Sequence, residues 1–443
     1  MENSLQSTVI VVASFALGLI TIIIFFLSTI PLDEPEPPAG CRLLGLPPKK
    51  SNLADPKDNS KSTPDMLSNK SAKDTVIAKV KALVIYPIKS CMPTELQHGD
   101  VVQTGLRYDR YFSFAHLHTP IPKITKDGVV HQAANWTFLT QREIPRLALL
   151  KVGIWIPDPA ASRYSTDGEW VQSNGCVQVQ FKFVPDFSFT DMQSYFEAWK
   201  RGFMETLRIP FDPTPERIQA KRYSTEPIKI WKENPNAFNM KNEVPEETWA
   251  KLRYTLGISN DFTIFRIDNN NLRKVFRCAP KAEDIGYQPS AGLCDAYPLH
   301  LMNLATVRDL ISRLPPTHRK NFTPLRFRAN IYITNTAAYS EDDWKLIRIG
   351  STIYHVSCRT MRCKLPNVDP KTGIADRNEP YSTLNGYRRI DTGAPNYPAL
   401  GMQLVPAAVG GEVRVGDEVE VLEVGEHHYI PALSEALPNP NAK

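Results

Sequence analysis

Residues 8–30 read TVIVVASFALGLITIIIFFLSTI, and no charged side chain stands between Glu2 and Asp33. Such a run has no polar face to offer water, so it cannot be a surface element of an ordinary domain. At about 1.5 Å of rise per residue it can cross a hydrocarbon core of about 30 Å as a single helix. The preceding MENSLQS holds no Lys or Arg, and the run is longer than the apolar core of a cleaved signal peptide. An uncleaved transmembrane anchor is predicted over residues 8–30. Arg42, Lys49 and Lys50 follow the run and no basic residue precedes it. The positive-inside rule then puts the body of the protein in the cytosol.

Residues 31–74 are rich in Pro, Ser, Asn, Asp and Lys, with stretches such as PLDEPEPPAG and SNLADPKDNSKSTPD. So few apolar groups cannot offset the entropy of ordering, which predicts a flexible tether. The whole chain has the composition of a globular protein: 42% hydrophobic and 22% charged over 443 residues, with a net charge of +5. That mild excess does not call for nucleic acid. The seven cysteines are scattered and odd in number, which speaks for free thiols in a reducing compartment. The sequons at Asn69, Asn135 and Asn321 point weakly the other way.

Strand-like alternation marks residues 80–88, 108–115 and 147–152, the second with Arg110, Phe112 and Phe114 on one face. Helical stripes follow. Residues 191–207 align Met192, Tyr195, Phe196, Trp199 and Phe203 as core contacts. Residues 246–256 align Trp249, Leu252 and Leu256. Residues 303–314 align Leu304, Val307, Leu310, Ile311 and Leu314, stopping at Pro315-Pro316. Strands return at 330–334, 351–356 and 412–424. Strands at both ends with helices between predict an α+β body rather than a βαβ repeat.

No GxGxxG, P-loop, HExxH or GxSxG motif is present, which disfavours the commonest nucleotide-binding, zinc-protease and hydrolase sites. The most pointed thiol is Cys363, flanked by Arg362 and Lys364 and followed by the turn signature DPKTG at residues 369–373. Neighbouring cations favour the thiolate, the form that binds metals and attacks electrophiles. A buried structural cysteine is the commoner fate of such a residue. A zinc site built on His355, Cys358 and Cys363 has neither a standard spacing nor a fourth ligand nearby. Lys89, Ser90, Arg110, Arg328 and Asn330 lie at strand ends and starts, where together they could hold a phosphate.

The segments YPIKSC (86–91), GLRYDRYF (105–112), LTQREIPRLALL (139–150), CDAYPLHLMNLATVRDLISRL (294–314), LRFRANIYI (325–333), RCKLPNVDPKTG (362–373) and EVRVGDEVEVL (412–422), in this order, resemble the MOSC family and its mitochondrial amidoxime-reducing branch. The resemblance implies an N-terminal β-barrel domain over residues 76–290, with an insertion, then a β-barrel-like MOSC domain with flanking helices over 291–424 and a C-terminal tail over 425–443. It also implies a bound molybdenum cofactor, a molybdopterin with a terminal phosphate. By motif, Cys363 falls on the metal-ligand cysteine. Lys89, Ser90, Arg110, Arg328 and Asn330 fall on cofactor contacts, and Asp417 of VGD on a group near the metal. Cys358 does not align with the ligand. Residues 152–292 are longer than in typical members. Ala296, Tyr297, Met361 and Gln403 depart from the family pattern, which leaves the substrate pocket open.

The activity implied is reduction of N-hydroxylated compounds at molybdenum held by Cys363. Electrons would come from outside, through cytochrome b5 and its NADH-dependent reductase in the related branch. A membrane tether would raise the effective concentration of such donors. The outer mitochondrial membrane is the expected location, with the endoplasmic reticulum as the alternative. Two other functions use the same residues: a sulfur carrier with a persulfide on Cys363, as in relatives resembling cofactor sulfurases, and a non-catalytic cofactor carrier at a membrane.

Overall fold

The strand Leu299–Asn303, LHLMN, is buried at all five positions. A strand apolar on both faces must have a layer on each side, and here the layers are a sheet that closes on itself and the helix that follows. The computed structural model describes residues 35–47, 49–53, 78–126, 128–130, 133–186 and 192–431, with positions 14, 18 and 21. The expected anchor over residues 8–30 therefore lies, but for three positions, outside the described residues. Among the described residues no helix is long and apolar enough to cross a membrane. The chain divides into two units: residues 38–180 with 207–443, and residues 1–37 with 181–206.

The larger unit contains both barrels. In the first, strands run in the order Ile331–Thr334, Leu299–Asn303, Ala399–Pro406, Thr352–Met361, Trp344–Ile349, Glu418–Val424 and Ala78–Ile85, and the last also pairs with the first. Leu299–Asn303 and Ile331–Thr334 are parallel, which requires a crossover. The helix Leu304–Arg313 begins it. Asn303 caps this helix, its side chain accepting from the Ala305 amide at 2.9 Å. Its buried stripe, Val307 and Leu310 with Leu314 beyond, packs on Ala82, Val84, Tyr86, Phe327, Tyr332 and Leu400. The helical reading of 303–314 is borne out to within a residue at each end. So is that of 246–256, where Glu246–Leu256 buries Trp249, Leu252 and Leu256 and ends on Gly257 at φ 75°.

The second barrel is closed by Ser224–Lys229, Asn236–Asn239, Phe262–Ile267, Phe112–His118 and Asn135–Phe138. Three of its five strands come from the stretch read as an insertion. That stretch completes the barrel rather than decorating it. Conversely, Ala78–Ile85, at the start of the expected first domain, is hydrogen-bonded into the sheet built by the second.

The tether reading needs a correction. Cys41–Leu44 is a strand paired antiparallel with Lys151–Pro157, and Cys41 is 5% exposed. Ser51 Oγ donates to Glu95 Oε1 at 2.6 Å and the Asn52 amide to Oε2 at 3.0 Å. Averaging composition over 31–74 hid the short apolar CRLLGL within it. Residues 54–77 lie outside the described part.

In the smaller unit the helix is Met192–Lys200, shorter than the expected 191–207. Gly202 and Phe203 adopt left-handed backbone and stop it, and the chain enters the strand Met204–Pro210. Tyr195 and Phe203 meet edge to face at 5.4 Å, but Met192 and Phe196 remain 43% and 40% exposed. They are not the core contacts that their spacing suggested.

Candidate cofactor site

Two loops interlock at the mouth of the first barrel. After Ala78–Ile85 the chain turns through YPIKS, with Ser90 at φ 69°. The YDRYF loop lies against it: the Tyr86 amide donates to Asp109 Oδ1 at 2.8 Å, the Arg110 amide to Tyr86 O at 2.8 Å and the Lys89 amide to Phe112 O at 2.8 Å. Tyr108 and Arg110 both have left-handed backbone, so Arg110 stands in a turn ahead of the strand Phe112–His118, not within it. Its guanidinium donates to both Asp109 oxygens at 2.7 and 2.6 Å and to Arg328 O at 2.8 Å. The Arg110 and Arg328 guanidiniums both pack on the Tyr86 ring, at 4.5 and 4.0 Å from its centroid. Such contacts contribute about 1–2 kcal/mol when desolvated.

These groups open on a cavity whose walls include Lys89, Ser90, Arg110, Arg328, Asn330 and Cys363. The sequence-derived candidates, Asp417 apart, thus share one space. The wall also carries Arg142, Arg359 and Arg362, with Asp295 as the one carboxylate among the described lining residues. Lys89 Nζ meets Asp295 Oδ1 at 2.6 Å, and Trp231 Nε1 donates to the same oxygen at 3.2 Å. The side chains are 6% and 57% exposed, so the lysine is the buried partner. Burial pushes the Lys89 ammonium below its ordinary value, more than Asp295 holds it up. Asp295 shifts too: burial works against its charge, but Lys89, Arg110 and Trp231 more than offset that and hold it at about 2. Arg328 is likewise lowered, by burial first and then by Arg110. Its Nη1 donates to Cys91 O and Gln141 Oε1 at 3.0 and 3.2 Å, while the buried Nη2 has no partner among the described residues. Arg328 and Arg362 are buried cations with no ion pair among the described residues, and an anionic ligand would suit such groups.

Cys363 follows the strand Thr352–Met361 and precedes the 3-10 turn Leu365–Asn367. It is a free, half-buried thiol whose Sγ accepts from the Leu365 amide at 3.4 Å. The turn signature is realised: the Gly373 amide bonds to Asp369 O at 2.8 Å, with Gly373 at φ 65°. Arg362, the cation before Cys363, points away from solvent. It is buried, donating through Nε to Leu400 O at 2.8 Å and through Nη2 to His300 Nε2 at 2.6 Å. Burial lowers it to about 10, so it stays charged at neutral pH. Burial, then Arg362 and Arg110, holds the His300 imidazole well below its ordinary value. It is therefore neutral and accepts at Nε2. Gly401 lets Ala399–Pro406 pass over this ring: a Cβ there would lie 2.6 Å from His300 Nε2.

Two assignments change. Asp417 sits in the turn between Glu412–Arg414 and Glu418–Val424, where it accepts from the Arg414 amide at 2.8 Å and packs on Gly350. It is not in the cavity wall. The VGD motif is a tight turn, and the carboxylate is used in closing it. Asn330 lines the cavity, but its amide is committed to Val84 O at 3.1 Å and the His300 amide at 3.2 Å, so it positions the wall. Cys358 lies fully buried in the sheet, and no group of three or more His, Cys, Asp or Glu among the described residues could hold a metal ion. Any metal bound at Cys363 must bring its other ligands with it.

Asp295, Arg142, Trp231, Arg359 and Tyr429 were not anticipated. Asp295 stands in the quoted CDAYP and could have been suspected. Trp231 lies in the stretch that would not align and gave no signal. Ala296, Tyr297, Met361 and Gln403, the departures from the family pattern, all line this cavity.

Comparison with known proteins bears on the same two regions. Residues 77–183 match the MOSC N-terminal beta barrel domain and residues 288–420 the MOSC domain. Mitochondrial amidoxime-reducing component 1 of Danio rerio is 36% identical over 140 residues, 32% of this chain and 40% of that protein. The Homo sapiens protein of the same name is 34% identical over 132 residues, 29% of this chain and 38% of its own length. Molybdenum cofactor sulfurase of Arabidopsis thaliana is 23% identical over 319 residues, 70% of this chain but 31% of that protein. The chain thus spans less than half the length of each of these relatives. Fold and matched segments agree on the family: this is a MOSC-domain protein with a MOSC N-terminal barrel ahead of that domain.

Proposed function

We propose that the cavity binds a molybdenum cofactor and that the protein reduces N-hydroxylated compounds with electrons from an external carrier. The observation that carries this is a half-buried free thiol, Cys363, opening on the same space as Lys89, Arg110 and Arg328. The donor set suits the group. Cys363 would supply the protein's ligand to the metal, and Lys89, Ser90 and the unpartnered Arg328 Nη2 would take the phosphate. When bound, the cofactor supplies the two-electron redox chemistry; the protein supplies binding, orientation and field. Arg110, tied to Asp109 and Arg328 O, fixes the wall that the ligand meets. Arg362 and neutral His300 stiffen the strand end that presents Cys363. Ala296, Tyr297, Met361 and Gln403 would set substrate choice.

Residues 8–30 would hold this body at a membrane, the outer mitochondrial one first, near cytochrome b5 and its NADH-dependent reductase as donors. The test is turnover of an N-hydroxylated amidine by the full chain with those donors. Cys363→Ala should abolish it with unfolding unchanged; activity retained by a metal-loaded variant would refute the assignment.

The long alignment to a cofactor sulfurase favours one second reading, a persulfide carried on Cys363. Cyanide would then release sulfur from the wild-type chain and not from Cys363→Ala. A wild-type chain that yields none removes this reading.

A further inference from the structure

Apart from Cys363, one other thiol is partly exposed. Cys278 has left-handed backbone, φ 52°, and lines a surface hollow with Lys345, His355, Ser357, His428 and Ile430. The stretch 426–430, within the C-terminal tail of the sequence reading, is pinned over this thiol. The Ile430 amide donates to Cys278 Sγ at 3.4 Å, and the thiol reaches His428 O at 3.7 Å. Arg277 Nη1 donates to Ile430 O at 3.1 Å, and Tyr429 N to Asp391 Oδ1 at 2.8 Å. Beneath lies Cys358, fully buried on Thr352–Met361 and packed in one cluster with Cys278 and Tyr297. Both cysteines belong to one packed cluster with Tyr297 and Tyr429, which also line the candidate cofactor cavity. Ser357, nine-tenths buried, lines the same hollow, and its Oγ has no partner among the described residues.

The geometry points to Cys278 and Cys358 as a hydroperoxide-reactive dithiol that closes to a disulfide. The hollow admits a small oxidant to Cys278, with Ser357 Oγ placed to hold an oxygen of it. The Cys278 sulfur attacks one peroxide oxygen and the O–O bond breaks. Sulfur keeps one oxygen as sulfenic acid; the other leaves as water, taking the thiol proton. Cys358 Sγ then attacks the Cys278 sulfur, the S–O bond breaks and a second water leaves with the Cys358 proton. The two thiols lose two electrons and the peroxide gains two. Hydrogen bonding from Cys358, against burial and with help from the Ile430 amide, Tyr297 and Arg277, lowers the Cys278 thiol to about 6. That shift favours the thiolate, the reactive form. A disulfide needs the sulfurs at about 2.05 Å, so Cys278 on its loop must move toward the strand. That shift pulls on Tyr297 and on the strap carrying Tyr429, and so on the cavity wall. The pair is chemically independent of what Cys363 binds.

The test is treatment of the full chain with graded hydrogen peroxide, then peptide mass spectrometry without reduction. A linked Cys278–Cys358 peptide pair, two hydrogens lighter than the free thiols, should rise with dose. In Cys358→Ser, dimedone should trap Cys278 instead. The wild-type crosslink does not depend on any variant folding. If both thiols remain alkylatable after denaturation while Cys363 is oxidised, or if the buried Cys41 and Cys176 react as fast as Cys278, the proposal is overturned.

Discussion

Arg328 Nη2 is a buried donor on the cavity wall with no partner among the described residues. Leaving such a group unmatched costs about 1–3 kcal/mol, a cost that a bound phosphate would remove. Arg328→Lys keeps the charge but cannot reach Cys91 O, Gln141 and a ligand together. We expect it to lower retained cofactor by about tenfold, read as pterin per chain after gel filtration; undiminished pterin would take Arg328 out of the site. Asp295 gives a pH signature. Its folded value near 2 lies below the ordinary 3.8, so its stabilisation is complete above about 4 and is lost as pH falls through 2. At 57% exposure solvent screening limits this to under about 1 kcal/mol. The melting difference between wild type and Asp295→Asn should therefore be flat above pH 4 and shrink toward pH 2. A difference that grows on acidification would mean the pair does not stabilise the fold. At this scale much was legible in sequence, because Lys89, Arg110, Arg328 and Cys363 each stand in a motif of several residues. Asp417 misled because three residues of VGD describe a turn as well as they describe a ligand.

The helix Leu304–Arg313 bridges the two parallel strands and buries Leu310 against the cluster under Tyr86. Leu310→Ala should cost about 2–5 kcal/mol, measured by urea unfolding; a loss below 1 would mean that the cluster collapses around the gap. Beside this helix, Asn303 and Thr306 donate to the fully buried Glu341 at 2.8 and 2.7 Å. Burial raises Glu341 from its ordinary 4.5 to about 7 despite those bonds. A raised carboxyl favours its protonated form, so its contribution is whole below pH 4.5 and is lost as pH rises to 7, by about 3 kcal/mol. Glu341→Gln does not titrate. Relative to wild type it should gain stability between pH 5 and 8, and parallel pH profiles would sink the idea. Helices with a 3.6-residue stripe were readable from sequence, since their contacts are local. Residues 191–207 carried the same stripe, but a turn at Gly202 and Phe203 ended the helix early. Periodicity reports which residues could share a face, not whether anything covers it.

At the scale of the molecule, one strand of the expected first domain joins the sheet of the second, and the other barrel closes with strands far apart in sequence. Ala78–Ile85 pairs with Ile331–Thr334 and Glu418–Val424, and residues 224–267 close the barrel begun at 112–138. Such pairings are long-range and leave no periodic trace, which is why the stretch 152–292 read as an insertion and Cys41–Leu44 as tether. The cavity draws its walls from both parts of the chain, so its contents test the fold and the chemistry together. The most direct measurement is molybdenum and pterin content of the full chain, solubilised from a host that makes the cofactor. One molybdenum and one pterin per wild-type chain are expected, with the metal lost in Cys363→Ala. A folded wild-type protein carrying neither would contradict the reading of this cavity as a molybdenum cofactor site.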